Sequence, residues 1–201
     1  MSIDDEVAVD NRWGRLHIER TKGFPRRYEV SAATRARQKG QILAYVKCPS
    51  FNPFNSAHYY TDAACTQLLF SVRGRWPFLT KNTYQVRTPD KQVIAEFDKD
   101  LGKSFANAVI HLETINGIEG IGRDVNTTVN KARRFVNFSA LVEFPFYTGG
   151  AREIATVSKG WGKIDPFLVN IPRLPNGRQL DWRVAAALAV FMDLALNRAQ
   201  F

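Results

Sequence analysis

Two patterns of apolar and polar positions divide this chain. The first is a single late run, residues 181–197, DWRVAAALAVFMDLALN. Between residues 184 and 196 every position but Asp193 is apolar, and the alanines around Leu188 favour helix strongly. An amphipathic surface helix shows a polar stripe every three or four residues. This run has almost none, so it predicts a helix buried on nearly all sides. It falls short of the about 20 apolar residues that span a bilayer. Asp181 stands where an N-cap belongs, accepting hydrogen bonds from free amides of the first turn.

The second pattern is alternation, which fills the preceding chain with short strands. Residues 13–20 place Leu16 and Ile18 on one face, and Tyr28-Glu29-Val30 begins another strand after the break at Gly23-Phe24-Pro25. Residues 31–40 read as a basic connection, 41–47 as an apolar strand, and 48–62, with its Pro and Asn residues, as a loop. Residues 67–72 and 76–79 are strand-like, as are 108–114, 117–121, 135–142 and 167–169; residues 124–134 read as a loop or short helix. A hairpin is the clearest signal: Tyr84-Gln85-Val86, the turn Thr88-Pro89-Asp90-Lys91, then residues 93–99. Sixty residues on it returns as Phe144-Pro145-Phe146, Thr148-Gly149-Gly150-Ala151 and residues 153–159. In both, an aromatic lies ten positions before the isoleucine of an Ile-Ala-x-(Phe/Val)-x-Lys strand. A fainter copy at residues 43–47 carries its lysine one place early. Such repetition predicts a hairpin array.

Many antiparallel strands and one apolar helix together predict a mainly β fold, a closed antiparallel barrel around that helix. Only a wide barrel, of about twelve strands, has room for it. Residues 1–11 read as a flexible acidic lead-in and 12–201 as a single domain with its central helix at 181–197. Asp193 is then expected near the barrel mouth, paired with an arginine or with backbone amides.

The hairpin at 84–99, its echo at 144–159 and the terminal Asp181-Trp182-Arg183-Val184-Ala185-Ala186-Ala187-Leu188 resemble the Tubby C-terminal-like superfamily, which includes the LURP-one-related proteins and the phospholipid scramblases. The resemblance covers nearly the whole chain and implies a twelve-stranded barrel around a C-terminal hydrophobic helix. About function it implies several things. Tubby proteins bind phosphoinositide headgroups through basic residues on the barrel, scramblases are linked to lipid transport and calcium, and many LURP-one-related proteins have no assigned activity. The tubby lipid-binding pattern matches no positions here. The cysteine-rich stretch, proline-rich head and acidic calcium loop of scramblases are also missing, which argues against a scramblase proper.

Charge adds a surface. Residues 11–47 hold ten Lys and Arg against two Glu, a net +8 in a chain whose net charge is +9. That concentration suits an anionic partner, against the plainer reading of a solvated basic face. The candidate anion-binding residues are Arg26, Arg27, Arg35, Arg37, Lys39 and Lys47, with Lys99 and Lys159 at the hairpin ends and Trp161 beside Lys163. Tryptophan next to lysine suits a headgroup interface. Met1 to Asp10 lacks the apolar run of a secretory signal, and Cys48 and Cys65 form no CxxC pair. A cytoplasmic protein, at most peripheral to the membrane, is the expectation.

Reactive chemistry is sparse. A Cys–His pair from Cys48, Cys65 and His58 stays open, against small buried thiols as the ordinary reading. His17, His58 and His111 show no zinc spacing, and the Gly-Gly and Gly-Trp-Gly stretches lack phosphate-loop spacing. The expectation is therefore no enzyme, no metal and no cofactor. It is a module that binds anionic ligands such as phosphoinositide headgroups at a membrane surface. The alternative is an adaptor that binds another protein, and nucleic-acid binding is a third reading, without a recognised base-reading module to support it.

Overall fold

A computed structural model describes residues 13–22, 24–33, 38–50, 56–74, 81–100, 109–123, 125, 142–159 and 166–198; the side chains of 81, 82, 99, 100, 142 and 195–198 lie outside that description. The strands are β1 (Arg15–Thr21), β2 (Arg27–Ala33), β3 (Lys39–Lys47), β4 (Ala57–Tyr60), β5 (Leu68–Gly74), β6 (Lys81–Arg87), β7 (Val93–Asp100), β8 (Val109–Thr114), β9 (Glu119–Arg123), β10 (Val142–Tyr147), β11 (Glu153–Lys159) and β12 (Phe167–Asn170), followed by helix α1 (Trp182–Arg198). Each strand pairs antiparallel with the next, and β12 returns to β1, closing a barrel of twelve strands.

Closure follows from the alternation. Leu16, Ile18, Tyr28, Val30, Ala44, Val46, Tyr59, Phe70 and Val72 are all buried, on one face of their strands, while their neighbours point out. A helix fills the enclosed space. From Val184 to Leu194 no α1 residue is more than 5% exposed, so the barrel surrounds it on every side. Aromatic contacts from the β5–β7 wall run along its length. Phe70 of β5 meets Trp182 edge-on at 6.0 Å, and Tyr84 of β6 and Phe97 of β7 pack on Phe191 at 4.4 and 5.1 Å. The alanine half of α1 leaves room for aromatic walls such as the stacked Tyr59 and Phe70, 4.0 Å apart. A similar exchange operates in β9, where a Cβ on Gly122 would come 2.6 Å from the rings of Phe144 and Phe146. The predicted N-cap is made, with the Arg183 amide donating to the Asp181 carboxylate at 2.8 Å.

Because strands alternate in direction, the barrel has two rims. Helix α1 enters at the rim where β12 ends, after residues 171–181, and runs toward the rim where β1, β3 and β11 end. The entry rim is built of tight turns. In residues 88–92, 114–118, 148–152 and 174–178 the first carbonyl accepts the fourth residue's amide at 2.9 Å. The first amide donates to the fifth carbonyl at 2.8–3.0 Å. This is the type I turn with a left-handed fourth residue that joins hairpins. Two copies use Gly117 and Gly177 at φ +69° and +77°, the other two Lys91 and Ala151 at φ +71° and +56°. A Cβ in that region costs about 1 kcal/mol or more. Ala151→Gly is expected to raise the melting temperature and Gly117→Ala to lower it, each by about 2–4 °C in a domain of this size, read by calorimetry.

The hairpin repeat is real in register. Tyr84, Val86 and Ala95 pair as Tyr84↔Phe97 and Val86↔Ala95, and Phe144↔Val157 and Phe146↔Ala155 repeat it. The faint copy fits too, through Tyr28↔Val46 and Val30↔Ala44. Three expectations need correction. Residues 57–60, read as loop, form β4, because the Pro and Asn signals stop short of the alternating Ala57-His58-Tyr59-Tyr60. Residues 31–33 and 39–40, read as connection, extend β2 and β3. The strand placed at 117–121 starts two residues later, since Gly117 is a turn residue. The readings at 76–79, 126–134 and 135–141 fall outside the described residues.

Candidate anion-binding surface

Register on the outer wall brings cations from distant segments into one row. Arg27 of β2 lies opposite Lys47 of β3, Lys47 opposite His58 of β4, and His58 opposite Ser71 of β5. All four point outward, because Tyr28, Val46, Tyr59, Phe70 and Val72 between and beside them fill the core. Arg73 follows Ser71 on the same face of β5 and is exposed. Opposed side chains on paired strands sit about 5 Å apart at Cβ, where like charges repel. No carboxylate pairs with Arg27, Lys47 or Arg73 among the described residues. An anion laid along the row would relieve that repulsion.

His58 tunes the row. Its pKa is lowered by burial first, then by the charges of Arg73 and Lys47, so the ring is neutral at neutral pH. Beside the row, at the exit rim, the β1–β2 connection carries Phe24, 79% exposed, between Lys22 and the pair Arg26 and Arg27. An apolar ring held out among cations is an amphipathic tip. Farther round, the wall changes sign. Arg87 donates to Gln85 at 3.0 Å, Gln85 donates to Glu96, and Glu96, Glu113 and Glu119 stand opposite one another on β7, β8 and β9.

The sequence-selected residues meet different fates. Arg27 and Lys47 join the row, and Arg26 lies half-buried next to it, its carbonyl accepting the Cys48 amide at 3.0 Å. Lys39 is at the other rim and already matched, bonded to Glu29 and 3.6 Å from Glu19. Arg35, Arg37, Trp161 and Lys163, and the side chain of Lys99, lie outside the described residues.

Lys159 is the clear correction. Expected at the surface, it is 7% exposed and turned into the barrel, its ammonium 3.2 Å from Asp193 and 4.9 Å above the Phe167 ring. Ala155, Val157 and Lys159 share a face, so the terminal lysine follows two core residues inward, whereas Lys47 comes one place early and faces out. Asp193, expected to meet an arginine or amides, takes Lys159 and the Tyr28 hydroxyl, which donates at 2.7 Å. Burial and then the Asp193 charge push the Tyr28 phenol well above its usual range, so it stays a donor.

The Cys48–His58 pairing is not made. Cys48 belongs to the core and His58 to the outer wall, and burial pushes the Cys48 thiol up to about 12, which leaves it protonated at neutral pH. Cys65 lies in the turn at 61–67, at the entry rim. No group of three His, Cys, Asp or Glu able to hold a metal occurs among the described residues, and no described helix is long and apolar enough to cross a membrane.

Sequence reasoning missed three contributors, His58, Arg73 and Phe24. His58 sat in a stretch read as loop, and Phe24 was taken only as part of a strand break. An apolar residue beside proline between lysine and two arginines was the signal for the tip. No protein-family model, curated protein or solved structure matches this chain.

Proposed function

We propose that the chain is a non-enzymatic binding module that recognises anionic ligands, most simply phosphoinositide headgroups at a membrane surface. The observation that carries this reading is the row in which Arg27, Lys47 and Arg73 gather around the neutral His58, three cations without carboxylate partners among the described residues. Phe24 supports it, since an exposed ring among lysines and arginines suits the headgroup boundary. The carboxylates of Glu96, Glu113 and Glu119, on another part of the wall, orient the basic side toward an anionic surface. Membership in the Tubby C-terminal-like superfamily is part of the proposal, supported by the barrel, the axial C-terminal helix and the hairpin repeat. So is a cytoplasmic place at the membrane periphery.

Vesicle sedimentation with rising anionic lipid tests it. Each basic residue near such a surface contributes about 1 kcal/mol, so Arg27→Gln with Lys47→Gln should weaken binding roughly thirtyfold. Equal binding to neutral and anionic vesicles sinks the reading. The adaptor alternative has its own support in Ile121 and Tyr147, paired across β9 and β10 and 41% and 42% exposed. Binding to neither vesicles nor RNA, with a protein partner retained at high salt, favours it. RNA displacing the protein from phosphoinositide vesicles would favour nucleic acid instead.

A further inference from the structure

The entry rim, far from the basic row, carries a groove of about 650 Å³ between the start of β1 and the segment after β12, lined by Gly14, Arg15, Ala33, Asn170, Pro172 and Arg173 among others. A smaller hollow of about 210 Å³ shares Arg15, Ala33 and Asn170 and extends over Thr156, Ser158 and Leu168. The strand register explains the continuity. Arg15 stands opposite Asn170 and Asn170 opposite Thr156, one row of polar side chains across β1, β12 and β11. The next row along sets Ser158 opposite Leu168 and Leu168 opposite His17.

Two cations converge on the groove. Nearby, Lys39 is matched with Glu19 and Glu29, and Arg183 with Asp181 at 2.7 Å. Arg15 and Arg173 have no such partner among the described residues, yet both line the one groove. Next to it the buried Nδ1 of His17 has no hydrogen-bond partner. Two guanidinium groups on separate segments, with an amide and the Thr156 hydroxyl in line, form the donor set that holds an oxyanion bearing further polar groups, while the Ser158 hydroxyl beside them donates to the Leu168 carbonyl at 3.2 Å. A hollow with a few convergent polar groups is also where small ligands bind.

We propose that this groove binds a small organic oxyanion, a carboxylate or phosphate ester, with Arg15 and Arg173 taking the anion and Asn170 and Thr156 the polar remainder. The site is separate from the basic row, and neither depends on the other. Inorganic phosphate, citrate and glycerol phosphate are the probes, each titrated into the full chain and followed by backbone amide resonances. Saturable shifts at Gly14 and Asn170 are expected with at least one of them. Citrate alone would make the ligand a carboxylate, and either phosphate a phosphoryl group. Arg15→Gln and Arg173→Gln should each weaken that binding about tenfold. Arg27→Gln with Lys47→Gln should leave it unchanged. No saturable shift with any probe up to about 10 mM, or undiminished binding in the double arginine variant with the rest of the spectrum intact, overturns the proposal.

Discussion

Lys159→Met should lower the free energy of unfolding by about 3–5 kcal/mol, the cost of leaving a buried carboxylate without its cation. Asp193 is 2% exposed and is held by the Lys159 ammonium at 3.2 Å and the Tyr28 hydroxyl at 2.7 Å. Removing the ammonium keeps the charge and the burial but takes away the cation at 3.2 Å. The effect belongs to the uncompensated charge and not to the pair, so changing both partners should behave differently. Lys159→Met with Asp193→Leu should recover most of the loss, because two apolar side chains replace two desolvated charges. Tyr28→Phe removes one hydrogen bond to a charged acceptor and should cost about 1.5–3 kcal/mol. Urea unfolding followed by tryptophan fluorescence measures all three. A single Lys159→Met loss under about 1 kcal/mol would mean that water reaches Asp193 and that the pair belongs to the rim, not the core.

That pair shows how the sequence can be read well and still mislead. The ten-residue spacing from Tyr84 to Ile94 and from Phe144 to Ile154 is a local property of a hairpin, so the repeat and its register were legible. The apolar helix was legible because its composition leaves no solvated face. The fate of the terminal lysine was legible too, had the two-residue period been carried one step beyond Val157. The pairing of Asp193 with Lys159 and Tyr28 was not, since it joins residues 34 and 165 positions apart through a closure that no local pattern encodes.

The basic row stood in between. Arg27 and Lys47 were visible as charges, but their adjacency depends on which strands pair and in what register. His58 entered only because β4 exists, a strand of four residues behind a Pro- and Asn-rich segment that hides its alternation. Arg73 was plain in the sequence but unremarkable, one arginine beside Gly74. Composition therefore located the basic stretch at residues 11–47. The geometry selected which of its cations stand together and which, like Lys39, already have partners.

The largest effect should come from the helix itself. Leu188→Asp and Ala187→Arg are each expected to abolish the folded state, leaving no cooperative unfolding transition and little soluble protein. Both positions are 0% exposed, with barrel wall on every side. An isolated charge transferred into such an interior costs far more than the about 5–15 kcal/mol by which a domain is stable. Arginine adds a second penalty at Ala187, where close packing has no space for a long side chain. Leu188→Met is the control. It conserves volume and carries no charge, so it should cost less than about 1.5 kcal/mol and leave the protein soluble. The comparison separates an axial helix from an anchor on the outside of the barrel. A surface anchor given a charge would leave a membrane and remain folded, whereas an axis given a charge takes the barrel with it. Soluble, cooperatively folded Leu188→Asp protein would remove α1 from the barrel interior, and the enclosing wall inferred from its burial would have to be drawn again.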